Sequence, residues 1–143
     1  MGALHMTWEN PSNEQIKEIL KNANTIAVVG LSDNPERTSY QIAKEMQRAG
    51  YKIIPVNPMI DEVLGEKAYA SLEDIEEQVD IVNVFRRSEF LPEIAKSTVN
   101  IKAPVFWAQQ GVVNQEAYDY LKDKDVTVIM DLCIKVLHSL LVK

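Results

Sequence analysis

Cysteine is nearly absent from this chain: Cys133 is the only one. A single cysteine excludes an internal disulfide framework and any multi-cysteine zinc site. Histidine is almost as scarce, and the pair His5 and His138 offers little for metal ligation. Glycine is sparse as well, with five residues in 143, and no GxGxxG run occurs. No apolar stretch approaches the ~18 residues of a membrane-spanning helix, so no membrane span is expected. No secretory signal is visible, and the cytoplasm is the expected location. Basic residues are in deficit, 15 against 21 acidic ones, for a net charge of −6. Nucleic-acid binders usually carry a basic face, so that partner class is not expected.

What is present is an ordinary globular composition, 46% hydrophobic and 25% charged. The chain has enough residues to bury a core without metal or disulfide staples. Residues 1–6 end in His-Met and read as a cloning scar, which leaves 7–143 as the expected domain. A length of 143 residues is about one domain. It is too short for separate nucleotide and substrate halves, so one small site is expected.

Periodicity then assigns elements. Ser12 and Gln15 fit a capping box ahead of Ile16, Ile19, Leu20 and Ala23 at helical spacing. Thr25–Gly30 is short, apolar and β-branched, as in a strand buried on both faces. Ile42, Ala43, Met46 and Ala49 mark the next helix, and Gly50 stands where a C-terminal glycine belongs. Tyr51–Val56 is a second strand whose Pro55 should fall near its end or at a bulge. Lys67–Tyr69 reads as an edge strand, and Ser71 as the cap of a short helix reaching about Glu77. Val79–Phe85 is a strand, Ser88 the cap of a helix with Pro92 in its first turn, and Ala103–Trp107 a strand. Asn114 caps a helix to about Lys122, Val126–Met130 is the last strand, and Asp131 opens the final helix. Strands alternating with helices predict a doubly wound, mostly parallel, Rossmann-like α/β sheet in three layers.

Ligands of such sheets bind beyond the carboxyl ends of the strands, where the strand order reverses. The first loop carries Gly30, Leu31 and Ser32, followed by Arg37, Thr38 and Ser39. A strand, a glycine and a helix start form a phosphate-binding arrangement, because unpaired amides and the helix dipole favour an anion. Arg37 would oppose that dipole unless an anion sat there. After the second strand stand Val56, Asn57 and Pro58. No carboxylate waits there for the ribose hydroxyl of a dinucleotide, which weighs against NAD. Arg86 and Arg87 follow Phe85 and could pair with phosphate oxygens, with one of the two expected on a ligand. Gln109 and Gly111 lie after the Ala103–Trp107 strand, and Cys133 after the last. No acid/base or metal-ligating constellation emerges.

Six segments occur in order: IAVVGLSDNPERTSY, IIPVNP, LGEKAYASLEDI, VDIVNVFRRSEF, WAQQGV and VTVIMDLCIK. Together they resemble the small CoA-binding proteins, whose single domain is similar to the CoA-binding domain of the succinyl-CoA synthetase α subunit. The resemblance covers most of Thr25–Lys135. It implies coenzyme A, or an acyl-CoA, as the cofactor. Gly30, Leu31, Ser32, Arg37, Thr38 and Ser39 would hold the diphosphate. Val56, Asn57 and Pro58 would line the nucleotide side. Phe85, Arg86 and Arg87 would lie against the pantetheine arm or a phosphate. Gln109 and Gly111 would line the far end, and Cys133 and Lys135 would close the site. The chain departs from the family pattern at Thr38, often proline, and at Leu137, often acidic. The synthetase's catalytic histidine belongs to a second domain, so the expectation is a module that holds its cofactor without catalysing a reaction alone. Two alternatives share the same loops: a redox sensor binding NAD or another nucleotide, and a small thioester enzyme or subunit using Cys133. The apolar final helix would suit a homodimer or simply cover the sheet.

Overall fold

The structure, a computed structural model, describes residues 7–142, and the reading of residues 1–6 lies outside the described residues. The elements alternate as the apolar patterning demands. In chain order they are α1 (Asn13–Asn22), β1 (Thr25–Val29), α2 (Thr38–Arg48) and β2 (Lys52–Val56). A two-strand hairpin follows, β3 (Glu62–Val63) and β4 (Glu66–Lys67), then β5 (Ile81–Val84) and α3 (Leu91–Asn100). The chain ends with β6 (Val105–Ala108), α4 (Gln115–Leu121), β7 (Thr127–Ile129) and α5 (Ile134–Leu141). The main sheet has five parallel strands in the order β2-β1-β5-β6-β7. Counting only these five, the order is 2-1-3-4-5, which reverses direction between β1 and β5.

Most residues of the five parallel strands are buried on both faces, which explains the apolar runs. On one face Ala27, Val29, Val82, Val84 and Phe106 pack under α3 and α4. On the other Ile26, Val28, Ile53, Ile81 and Trp107 pack under α1, α2 and α5. The capping box at Ser12 forms with both of its reciprocal bonds. Asn114 caps α4 by accepting from the Ala117 amide. Pro55 is the penultimate residue of edge strand β2, where a missing amide costs little.

Several local expectations change. Ser71 makes no capping bond, and only a 3-10 turn, Leu72–Asp74, stands where a helix to Glu77 was expected. The hairpin pairs Glu66–Lys67 with Glu62–Val63, and Tyr69 alone bridges the β2 edge at Val56. Ser88 does not cap α3; its hydroxyl accepts from the Val113 amide across the sheet edge. The chain instead enters α3 through a 3-10 turn, Ser88–Phe90, and Pro92 does fall in the first turn. Asp131 does not open α5, since it sits at φ 65 and its carboxylate accepts from the Gly111 amide. Cys133 is the N-cap residue of α5. For Ser88 and Asp131 a long-range partner replaced the local hydrogen bond that the sequence pattern offered.

Candidate functional site at the strand-order reversal

The reversal between β1 and β5 opens a cleft at the carboxyl ends of the strands. Its depth depends on Gly30, at φ 88. A Cβ there would lie 2.6 Å from the Phe85 carbonyl oxygen and 3.0 Å from the Arg86 Cδ. Only glycine lets the end of β1 approach β5 so closely. The Gly30 amide donates to Val56 O at 2.9 Å, and the Phe85 amide donates to Val29 O at 2.8 Å, so three strand ends are held together.

The first loop is wired by its own side chains. Buried Ser39 accepts through Oγ from the Ser32 amide at 3.0 Å. Ser32 Oγ accepts from the Asn34 amide, and Asn34 Oδ1 from the Glu36 amide. These bonds shape the turn without closing the helix start. Arg37, the N-cap residue of α2, makes no side-chain cap bond, and the first turn holds no acidic residue. By contrast, α1 and α4 each have a side-chain cap and a first-turn glutamate. The α2 terminus therefore keeps its positive end open.

Two connected recesses share Thr38 and Phe85. One, about 470 Å³, is lined by Gly30, Ser32, Glu36, Arg37, Thr38, Ser39 and Phe85. The larger, about 740 Å³, runs past Ile42, Arg86, Arg87 and Ser88 to Gln109, Gly111 and Cys133. No carboxylate lines the larger recess. Among the described residues, Arg37, Arg86 and Arg87 take part in no salt bridge, and neither Glu89 nor Glu93 pairs with them. Half-buried Arg86 lies over the Phe90 ring, 4.1 Å from its centroid, while Arg87 is exposed.

The remaining sequence-derived residues sit elsewhere. Leu31 and Val56 are buried in the core. The Asn57 amide donates to Leu31 O, and its Oδ1 accepts from the Met59 amide. Pro58 and Lys135 are exposed and do not line either recess. Ile42, Ser88, Gln110 and Val112 also line the larger recess, although the sequence pattern marks Ile42 for a helical face and Ser88 for a cap. Ile42 was read as a core residue, and helical periodicity does not separate a core face from a cleft wall.

Gln109 is the least legible of the lining residues. It is 5% exposed, and its Oε1 accepts from Asn83 Nδ2 at 3.0 Å and from the Ile134 amide at 3.1 Å. It thus caps α5 from the end of β6. The Ile134 amide can only donate, so the oxygen must face it, and Nε2 is the group left for the cleft. His138 lies edge-on to Tyr51, with ring centroids 5.6 Å apart, and does not line the cleft. Burial raises the Tyr51 phenol above its ordinary pKa, and its hydroxyl donates to Leu20 O, tying α1 to β2. No group of three or more His, Cys, Asp or Glu among the described residues is placed to hold a metal ion. No helix among them is long and apolar enough to cross a membrane.

The family model for a CoA binding domain matches residues 24–139. The chain belongs to this family of CoA-binding domains. A second sequence, the uncharacterised protein YneT of Bacillus subtilis (strain 168), is 63% identical over 92% of this chain and 97% of its own length. An ADP-forming acetate–CoA ligase of Methanocaldococcus jannaschii is 30% identical over 49% of this chain. That match spans 10% of the ligase, so this CoA-binding domain is related to one part of a much longer enzyme. A solved structure of a hypothetical protein from Pyrococcus horikoshii OT3 superposes with a TM-score of 0.90 at 32% identity, covering 93% of this chain and 94% of that one. The Pyrococcus horikoshii structure therefore shares the fold of this CoA-binding domain.

Proposed function

We propose that the protein holds coenzyme A, or an acyl-CoA, in this cleft and catalyses no reaction alone. The observation that carries the reading is electrostatic. In a chain of net charge −6, three arginines without ion-pair partners among the described residues gather at the strand-order reversal beside an uncapped helix start. Such a place favours an anion with several phosphate oxygens. The donor set fits: Arg37, Thr38 and Ser39 would hold the diphosphate against the open end of α2, with the close approach at Gly30 making room.

The larger recess suits the neutral arm. Three strand spacings separate the ends of β1 and β7, about 14 Å at ~4.8 Å each. A pantetheine arm is roughly thirteen bonds from phosphorus to sulfur, and at ~3.5 Å per three bonds it reaches about 15 Å. Anchored at the Gly30 loop, its sulfur would come to the end lined by Gln109 and Cys133. The cofactor supplies a thiol that carries acyl groups; the protein's part is to bind and orient it. No histidine or carboxylate lines the larger recess to serve as a general base. An NAD reading gains nothing at the end of β2, where Asn57 is committed to Leu31 O.

Calorimetry with CoA, NAD and ATP tests the proposal. CoA is expected to bind and NAD is not; tight NAD binding without CoA binding overturns it. Arg37→Ala is expected to weaken CoA by about 1.5–3 kcal/mol, the range for a hydrogen bond to a charged group. An unchanged affinity removes Arg37 from the site.

A further inference from the structure

Arg86 and Arg87 are neighbours in sequence, yet the fold treats them differently. Arg87 is exposed, whereas Arg86 is half-buried against the wall of the cleft. The Arg86 Cδ lies 3.0 Å from the place a Gly30 Cβ would occupy, so its stem rests on the end of β1. Its guanidinium carbon sits over the Phe90 ring, 4.1 Å from the centroid. Among the described residues that ring is the guanidinium's one partner, and no carboxylate or other acceptor takes its N–H groups.

The ring is itself held in place. The 3-10 turn Ser88–Phe90 leads into α3 and carries Phe90 back beneath the residue four positions earlier. Ser88 pins this turn to the start of α4: its hydroxyl accepts from the Val113 amide at 3.2 Å, and its carbonyl from Asn114 Nδ2 at 3.1 Å. A guanidinium resting on a ring face keeps its in-plane N–H donors for oxygen acceptors. Phe90 thus fixes the direction of the cation without consuming its hydrogen bonds.

We infer that Arg86, rather than Arg87, takes phosphate oxygens of the bound ligand, and that Phe90 is its positioning residue. The inference rests on the proposed function for the identity of the ligand, an organic diphosphate of the CoA type. Arg37 begins α2, which packs on one face of the sheet, and Phe90 packs with α3 on the other. A diphosphate at the end of β1 would therefore meet a cation from each face. Arg37 is exposed and must be ordered by the ligand, whereas Arg86 is already ordered by the ring. Fixing a side chain before binding is worth about two- to tenfold in affinity.

The test is calorimetry of the whole chain with CoA, beside NMR of the arginine Nε–H groups with inorganic pyrophosphate. Arg86→Met keeps the stem and removes the donors, and should weaken CoA at least about tenfold. Arg87→Met removes the same charge from a screened position, and its fold-loss should be below about a third of that. Phe90→Leu should weaken CoA about two- to tenfold, and Phe90→Tyr, which restores the ring, should return to within about twofold of the original. In the Arg86→Met background Phe90→Leu should have no further effect on binding, because the ring acts through the arginine. A loss of the same size there marks a merely structural role and overturns the inference. Unchanged affinity in Arg86→Met, or a larger loss in Arg87→Met, also overturns it. Pyrophosphate should shift the Arg86 Nε–H resonance more than that of Arg87, and the reverse order counts against the inference in the same way. If pyrophosphate shifts Arg86 but CoA does not bind, the proposed function fails and the anion site stands. If CoA binds and Arg86→Met leaves its affinity unchanged, the anion site fails and the proposed function stands.

Discussion

Gly30→Ala tests the geometry on which the cleft depends. The new Cβ would sit 2.6 Å from the Phe85 carbonyl oxygen, 0.8 Å inside the 3.4 Å at which ordinary contact begins. That oxygen belongs to backbone at the end of β5, held by the Phe85 amide bond to Val29 O at 2.8 Å. Relief requires parting the two strand ends, which loses about one such bond, ~1 kcal/mol or more when the freed group stays buried. The left-handed backbone at φ 88 costs an L-residue a further ~1–2 kcal/mol. The expected loss is about 3 kcal/mol, with the cleft narrowed or distorted. Gly111→Ala is the matched control, because Gly111 has φ 85 but nothing within 4 Å of its would-be Cβ. It should cost only the backbone part, about 1–2 kcal/mol. The reduced entropy of the unfolded chain is common to both variants and cancels in the comparison. Urea unfolding of the two variants gives the difference directly. If they agree within about 0.5 kcal/mol, the close approach of β1 and β5 does not constrain the fold as argued.

Gln109→Leu should free the α5 start and deprive Asn83 Nδ2 of one of its two acceptors, at a cost of about 1–3 kcal/mol. Gln109→Glu keeps an acceptor for both donors, so amide exchange at Ile134 should accelerate in the first variant and stay slow in the second; equal acceleration in both would refute the trans-cap. Glu73 is held below its ordinary pKa chiefly by the hydrogen bond from Asn100 Nδ2 at 3.0 Å. Because the folded pKa is the lower one, this bond contributes fully above the usual carboxylate range and is lost as pH falls through the folded value. Asn100→Ala should return the Glu73 titration toward its ordinary position in a carbon-detected NMR titration; an unmoved titration would assign the shift to another cause.

Much of the architecture was legible because it rests on local and periodic information. An unbroken apolar run such as residues 26–29 can only be satisfied between two helical layers. The Ser12 and Asn114 caps bond residues three positions away, a distance that sequence spacing specifies. The Ser88 and Asp131 expectations failed for the complementary reason. Ser88 and Asp131 found partners 25 and 20 residues away, at Val113 and Gly111, which no local pattern announces. The cleft was legible at loop level, because strand order fixes which loops meet there. Its individual side chains were not. Asn57 looked available to a ligand yet spends its amide on Leu31 O.

From the sequence alone came the alternation of strands and helices, the loops able to face a ligand, and the resemblance to CoA-binding domains. All three depend on which residue types follow one another along the chain. Only the tertiary structure decided that Gly30 must be glycine, since the atom it avoids belongs to Phe85 on a different strand. Only the tertiary structure turned Gln109 outward by one nitrogen, because its oxygen is claimed by donors 26 and 25 residues away. Spacing along a chain constrains neighbours within a turn or two; which way a buried amide faces depends on groups that only folding brings within 3 Å or so.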